Sequence, residues 1–175
     1  RSILQNAGQT CSAGSRLVVH ESVRGELVDR IAERFRATTI GRGTDDPELG
    51  PLVSARQQER VRGYVDAAGS GTVVTGGAAP EDAGLADGSY WLPTLIDGVD
   101  PGAAIAREEV FGPVLVTLPF TDEEEALALA NGTDYGLIAA VWTRDLGQAH
   151  RVATQLDAGQ VYVNTYGAGG GVELP

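Results

Sequence analysis

Apolar and polar positions change period several times along the chain, and each change marks a new element. Residues 16–20 carry the leucine and valine content of a short strand, and Val23, Leu27, Ile31 and Phe35 then recur every four positions, the stripe of a helix. Residues 41–52 hold Asp-Asp-Pro and Gly-Pro breakers and read as a loop. Ser54 followed by Gln57 has the form of a capping box, opening a helix with Val61, Tyr64, Val65 and Ala68 turned inward. Small residues dominate 69–88, a surface or linker-like stretch with one candidate strand at 72–75. Strands are predicted at 90–96 and 113–120, followed by a helix capped by Thr121 and Glu124 that ends at Asn131-Gly132. An apolar strand at 137–143, a helix capped by Asp145 with Leu146, Ala149, Ala153 and Leu156 apolar, and a strand at 160–164 complete the pattern. Strands alternating with helices predict an α/β fold containing parallel strand pairs.

Composition narrows the function classes. A chain of 175 residues with 42% hydrophobic and 21% charged residues suits one globular domain with a sizeable core. The formal net charge of −11 opposes binding to nucleic acid or to an anionic membrane surface. No apolar run approaches the roughly 18 residues of a membrane-spanning helix. Cys11 is the single cysteine, which excludes an internal disulfide and a zinc site built on several thiolates, and fits a reducing compartment such as the cytoplasm. All 13 basic residues are arginine, so chemistry that needs a lysine is excluded. The chain has no methionine, begins at Arg1 on a helix-compatible run and stops at Pro175 after an unfinished glycine-rich loop. It is read as a piece of a longer protein.

Several motifs carry less chemistry than they suggest. Gly69-Ser-Gly71 and Gly167-Ala-Gly169 have Val74 and Val172 where a dinucleotide-binding turn needs its third glycine, and Gly41-Arg42-Gly43 is shorter still. Asp122 to Glu125 form an acidic helix start, where the macrodipole favours negative charge. His20 and His150 lack the paired spacing of a metal site, so no metal is expected. Cys11 differs, because Gly8, Thr10, Ser12, Ala13 and Gly14 are too small and polar to make an apolar socket for it. The order Cys11, His150, Asn164, with Gln5 upstream, imitates a papain-like cysteine protease, but that family's local cysteine signature is absent.

Asn6-x-Gly8-Gln9-x-Cys11 followed by Ser12-Ala13-Gly14-Ser15-Arg16 closely resembles the cysteine signature of the aldehyde dehydrogenase superfamily. Arg107-Glu108-Glu109-Val110-Phe111-Gly112-Pro113-Val114, preceded by Leu92-Pro93-Thr94-Leu95, is similar to the family's second signature. Gly50-Pro51-Leu52, Tyr135-Gly136-Leu137, Thr143-Arg144-Asp145 and Gly159-Gln160-Val161-Tyr162-Val163-Asn164 extend the resemblance over essentially the whole chain.

The resemblance implies an aldehyde dehydrogenase-like catalytic domain, a mixed and mostly parallel sheet flanked by helices, with 1–175 as a single partial domain. It implies oxidation of a small-molecule aldehyde to a carboxylic acid with hydride transfer to NAD or NADP, through a thiohemiacetal and a thioester on Cys11. Glu109 and Phe111 would contact the cofactor, and Thr10 and Ser12 would line the aldehyde pocket. The family's general-base glutamate, its oxyanion asparagine, most of its nucleotide-binding domain and its terminal oligomerisation segment are not among these residues. The expectation is therefore an intact homo-oligomeric parent enzyme and an inactive isolated chain. The alternative reading is a non-catalytic assembly module.

Overall fold

The computed structural model describes residues 2–167, so Arg1, Gly169, Val172 and the terminal 173–175 lie outside the described residues. Among those described, the strands are β1 (Arg16–His20), β2 (Thr72–Thr75), β3 (Thr94–Asp97), β4 (Val114–Phe120), β5 (Ile138–Val141) and β6 (Gln160–Val163). The helices are α1 (Glu21–Arg36), α2 (Ala55–Asp66), α3 (Ala104–Arg107), α4 (Glu123–Asn131) and α5 (Leu146–Ala153).

Four strands form one sheet in the order β1-β4-β3-β2, with β1 and β3 parallel to β4 and β2 antiparallel to β3. The fold is α/β with a mixed, mostly parallel sheet flanked by helices. Central β4 is buried from Val114 to Leu118, as its near-continuous apolar run requires when both faces are covered. Together with Leu95, Ile96, Val61 and Val65 it makes the core.

Three local departures from the periodic reading have physical causes. Strand β3 begins at Thr94 rather than at residue 90, because Pro93 has no N–H for the ladder and the Leu92 N–H goes to the Ala78 carbonyl at 3.0 Å. Helix α4 is capped one residue later than expected: the Asp122 carboxylate accepts the Glu125 N–H at 2.9 Å, and Glu125 reaches back to the Thr121 N–H at 2.8 Å. On α1 the buried face is Val28, Ala32 and Phe35, while Val23 is half exposed. Spacing by four residues drifts about 40° per step around a helix, so Val23 has rotated away from the face that Phe35 occupies. The four-residue α3 was too short to show a period.

Strands β5 and β6 pair in parallel as a separate two-stranded sheet against α5. No residue of β5, β6 or α5 belongs to the main hydrophobic cluster. Polar bridges join this unit to the rest. Arg151 donates twice to Glu123 at 2.7 Å, Gln148 donates to the same carboxylate at 3.2 Å, and Asn131 donates to the Gln155 carbonyl at 2.8 Å. The Arg151 guanidinium, with Gln148, lowers Glu123 to about 2.

Candidate active site

The segment leading to Cys11 is anchored and then bent. Ile3, Leu4 and Ala7 are buried in the core, and Asn6, Ala7 and Gly8 follow one another with φ of 50°, 54° and 71°. Left-handed backbone is disfavoured by about 1–2 kcal/mol for a residue with a side chain, so two such residues in a row persist only where the surroundings hold them. The Asn6 amide donates to the Gln9 carbonyl at 2.9 Å, and the Gln9 N–H returns to the Asn6 carbonyl at 3.0 Å.

What holds the bend is the second signature. A methyl group on Gly8 would lie 2.1 Å from the Gly112 carbonyl oxygen and 2.7 Å from the Pro113 nitrogen. Gly112 in turn presses on α2, where an added methyl would meet Val61 at 2.5 Å. The two signatures therefore meet backbone to backbone at Gly8, where an added side chain would overlap the Gly112 carbonyl. Gln9 adds a second tie, since its side-chain oxygen accepts the Val53 N–H at 2.8 Å beside the start of α2.

Cys11 then sits at the corner of a turn closed by the Ala13 N–H on the Thr10 carbonyl at 2.9 Å. Its side chain is exposed. The N–H groups of Cys11 and Ser12 have no hydrogen-bond acceptor among the described residues. An exposed sulfur with two unengaged amide donors beside it is the arrangement that nucleophilic addition to a carbonyl requires. Thr10 and Ser12 are half-buried flanks of this turn.

Glu109 and Phe111 lie on the wall of an open groove of about 520 Å³, shared with Ser54, Arg56, Gln57 and Arg60. The Glu109 carboxylate is exposed and has no hydrogen-bond donor among the described residues. Phe111 is held at φ 59°, a left-handed conformation that an aromatic residue rarely takes. One face of α2 keeps it there. The Gln57 amide donates to the carbonyls of Val110 at 3.0 Å and Phe111 at 2.9 Å, and Arg60 donates to the Glu109 carbonyl at 2.7 Å. The Tyr64 hydroxyl donates to Glu108 at 2.7 Å, and that bond together with burial raises its titration above the usual phenol range. Arg60 stacks over the Tyr64 ring at 5.0 Å.

Gln57, Arg60 and Tyr64 were not singled out as site residues by sequence. Their spacing of three and four places them on one helical face, but their targets are mostly main-chain carbonyls, which have no sequence signature. Ser54 does cap α2 as expected, accepting the Gln57 N–H at 3.2 Å, whereas the Gln57 side chain serves the 110–111 loop instead of closing the box. His20 also caps a helix, accepting the Ser22 N–H at 3.1 Å. The protease-like order is not assembled: the Asn164 amide bridges the N–H and carbonyl of Thr143, each at 3.0 Å, and no hydrogen bond links Cys11, His150 and Asn164. Among the described residues no group of three or more metal-ligating side chains occurs, and no helix is long and apolar enough to cross a membrane.

Known proteins resemble the chain in sequence and in fold. The aldehyde dehydrogenase family's sequence profile matches residues 1–175, and the chain belongs to that family. Among individual proteins, it is 43% identical over 164 residues to betaine aldehyde dehydrogenase 1 of Rhizobium meliloti, covering 92% of this chain and 34% of that one. It is 44% identical over 171 residues to 2-hydroxymuconic semialdehyde dehydrogenase of a Pseudomonas species, covering 95% of this chain and 35% of that one. The solved structure of betaine aldehyde dehydrogenase from Staphylococcus aureus in complex with NAD+ superposes with a TM-score of 0.90 at 37% identity, over 94% of this chain and 34% of that chain. PnpE from Pseudomonas sp. WBC-3 superposes with a TM-score of 0.92 at 40% identity, over 95% of this chain and 34% of that chain. The chain thus spans about a third of the length of the relatives it matches.

Proposed function

We propose that this chain supplies the nucleophile and part of the cofactor site of an NAD- or NADP-dependent aldehyde dehydrogenase, oxidising a small-molecule aldehyde to its carboxylic acid. The observation that carries the reading is the backbone contact of Gly8 with Gly112, which joins the segment of exposed Cys11 to that of Glu109 and Phe111.

The donor set suits a dinucleotide. The free Glu109 carboxylate offers acceptors to ribose hydroxyls, Phe111 offers an apolar face, and Arg56 and Arg60 offer cations to phosphate. The chemistry that NAD or NADP supplies when bound is hydride acceptance. Cys11 does the rest of the bond-making on this chain. Its sulfur adds to the aldehyde carbon, a C–S bond forms, and the carbonyl oxygen takes up negative charge beside the N–H groups of Cys11 and Ser12. After the carbon loses its hydride, Cys11 carries the acyl group as a thioester until water releases the acid and returns the thiol. Thr10 and Ser12 flank the position of the aldehyde. A catalytic thiol works only when reduced, which fits a cytoplasmic setting. The complete enzyme is a homo-oligomer in this reading.

The reading is tested in a chimaera in which these residues replace the matching third of the Rhizobium meliloti enzyme. Aldehyde-dependent formation of NADH or NADPH should be lost in Cys11→Ala and reduced in Glu109→Gln. Turnover by the Cys11→Ala chimaera equal to that of the unsubstituted one would refute it.

A further inference from the structure

Tyr166 lies far from Cys11 in sequence, yet it touches the turn that carries the nucleophile. Its hydroxyl donates to the Ser12 carbonyl at 2.7 Å. A methyl group on Gly14 would lie 3.3 Å from the Tyr166 Cζ, so the hydroxyl end of the ring sits against the chain just past the turn. The Ser12–Ala13 peptide is therefore gripped at both ends. Its oxygen is held by Tyr166, and its N–H closes the turn on the Thr10 carbonyl at 2.9 Å. A peptide unit held by both its oxygen and its N–H resists flipping, and it directly follows the Cys11–Ser12 peptide whose N–H belongs to Ser12.

The route by which Tyr166 reaches the turn is built into the end of β6. Asn164 adopts φ 55°, and its side-chain amide fastens to Thr143 at the end of β5, which turns the chain out of the strand two residues before the tyrosine. Tyr162 stacks on Tyr166 with ring centroids 6.5 Å apart. Burial, with the neighbouring Tyr162, pushes the Tyr166 hydroxyl above the usual phenol range, so it keeps its proton to donate.

We propose that Tyr166 is a positioning residue that locks the Ser12–Ala13 peptide and thereby aims the Cys11 and Ser12 N–H groups at the carbonyl oxygen of the aldehyde adduct. This inference rests on the reading of Cys11 as the nucleophile, but it concerns the shape of the turn, which is measurable without turnover.

The test is the rate at which Cys11, the only thiol, is alkylated in the full chain by iodoacetate and by iodoacetamide, two reagents that differ by one negative charge. Tyr166→Phe keeps the ring and removes only the donor. Losing one hydrogen bond of ordinary strength should lower the iodoacetate-to-iodoacetamide ratio by about two- to tenfold. Tyr162→Phe, which leaves that donor in place, should not change the ratio. Three results would overturn the proposal: an unchanged ratio in Tyr166→Phe, an equal fall in Tyr162→Phe, or a parent chain whose ratio is the same in concentrated urea as in buffer. An inactive chimaera combined with the expected alkylation ratios would refute the catalytic reading while leaving the tyrosine's grip on the turn intact.

Discussion

The α-carbon of Gly8 faces the Gly112 carbonyl so closely that a methyl group there would lie 2.1 Å from the oxygen. Both partners are main chain, so no side chain can swing aside to relieve the clash. Gly8→Ala should destabilise the chain by more than about 3 kcal/mol, the left-handed φ adding to the overlap. Gly63 is the internal control, since it lies in α2 with nothing within 4 Å of an added methyl. Gly63→Ala should stabilise by about 0.5–1 kcal/mol. Urea titrations of the two variants give the comparison, and a Gly8→Ala as stable as the parent would remove the reason for placing the signatures side by side.

Thr94 is a buried junction at the start of β3. Its hydroxyl accepts the Trp91 indole N–H at 3.0 Å and the Gly77 N–H at 2.9 Å, and donates to the Leu92 carbonyl at 2.8 Å. Thr94→Val keeps the shape and strands two donors, each unsatisfied group costing about 1–3 kcal/mol. Thr94→Ser should recover most of the loss. Equal stability of the valine and serine variants in denaturant would show that the hydroxyl is dispensable.

Asp97 predicts an acid limb of stability. Burial disfavours its charge, but Arg24 donates at 3.1 and 3.0 Å and Thr117 donates as well, and the balance holds the carboxyl below the usual carboxylate range. The unfolded chain then binds a proton that the folded chain refuses, so stability is full above about pH 4 and falls as pH drops through the folded value. Asp97→Asn should make that limb shallower, with Glu123 contributing to what remains. Thermal melts between neutral and acid pH measure it, and an unchanged slope in the variant would assign the acid sensitivity to other groups.

Gln57 should govern cofactor affinity through Phe111. Gln57→Leu removes both amide hydrogens from the carbonyls of Val110 and Phe111 and leaves a left-handed phenylalanine unsupported. In the chimaera, the Kd for NADH or NADPH should rise about tenfold, as for the loss of one or two hydrogen bonds of ordinary strength. Fluorescence titration gives the value directly, and unaltered binding would leave the α2 face without a part in holding the nucleotide.

Much of this arrangement was readable in the residues alone, and the unread part shares one cause. Strand β1 and helices α1, α2 and α5 follow from period and capping chemistry, and the two motifs mark the segments that Gly8 and Gly112 bring into contact. The contacts made by Gln57, Arg60 and Tyr166 do not, because each is a side chain meeting a carbonyl, and every residue has a carbonyl. On α1 the four-residue spacing marks a stripe that winds around the helix, so its first member, Val23, ends half exposed while Phe35 is buried.

The β5–β6 sheet with α5 is tied to α4 through charged and amide groups, with Glu123 and Arg151 as the ionic link, and contributes no residue to the main hydrophobic cluster. The link itself is open to solvent, and Trp142 and Leu146 on this unit are also largely exposed. Ions in solution reach such a bridge and weaken it, whereas they leave buried leucines and valines untouched. Rising ionic strength should therefore loosen one end of the molecule before the other. Amide hydrogens of β5 and β6 would exchange with deuterium early in such a series, while those of β4 stay protected until the whole chain opens.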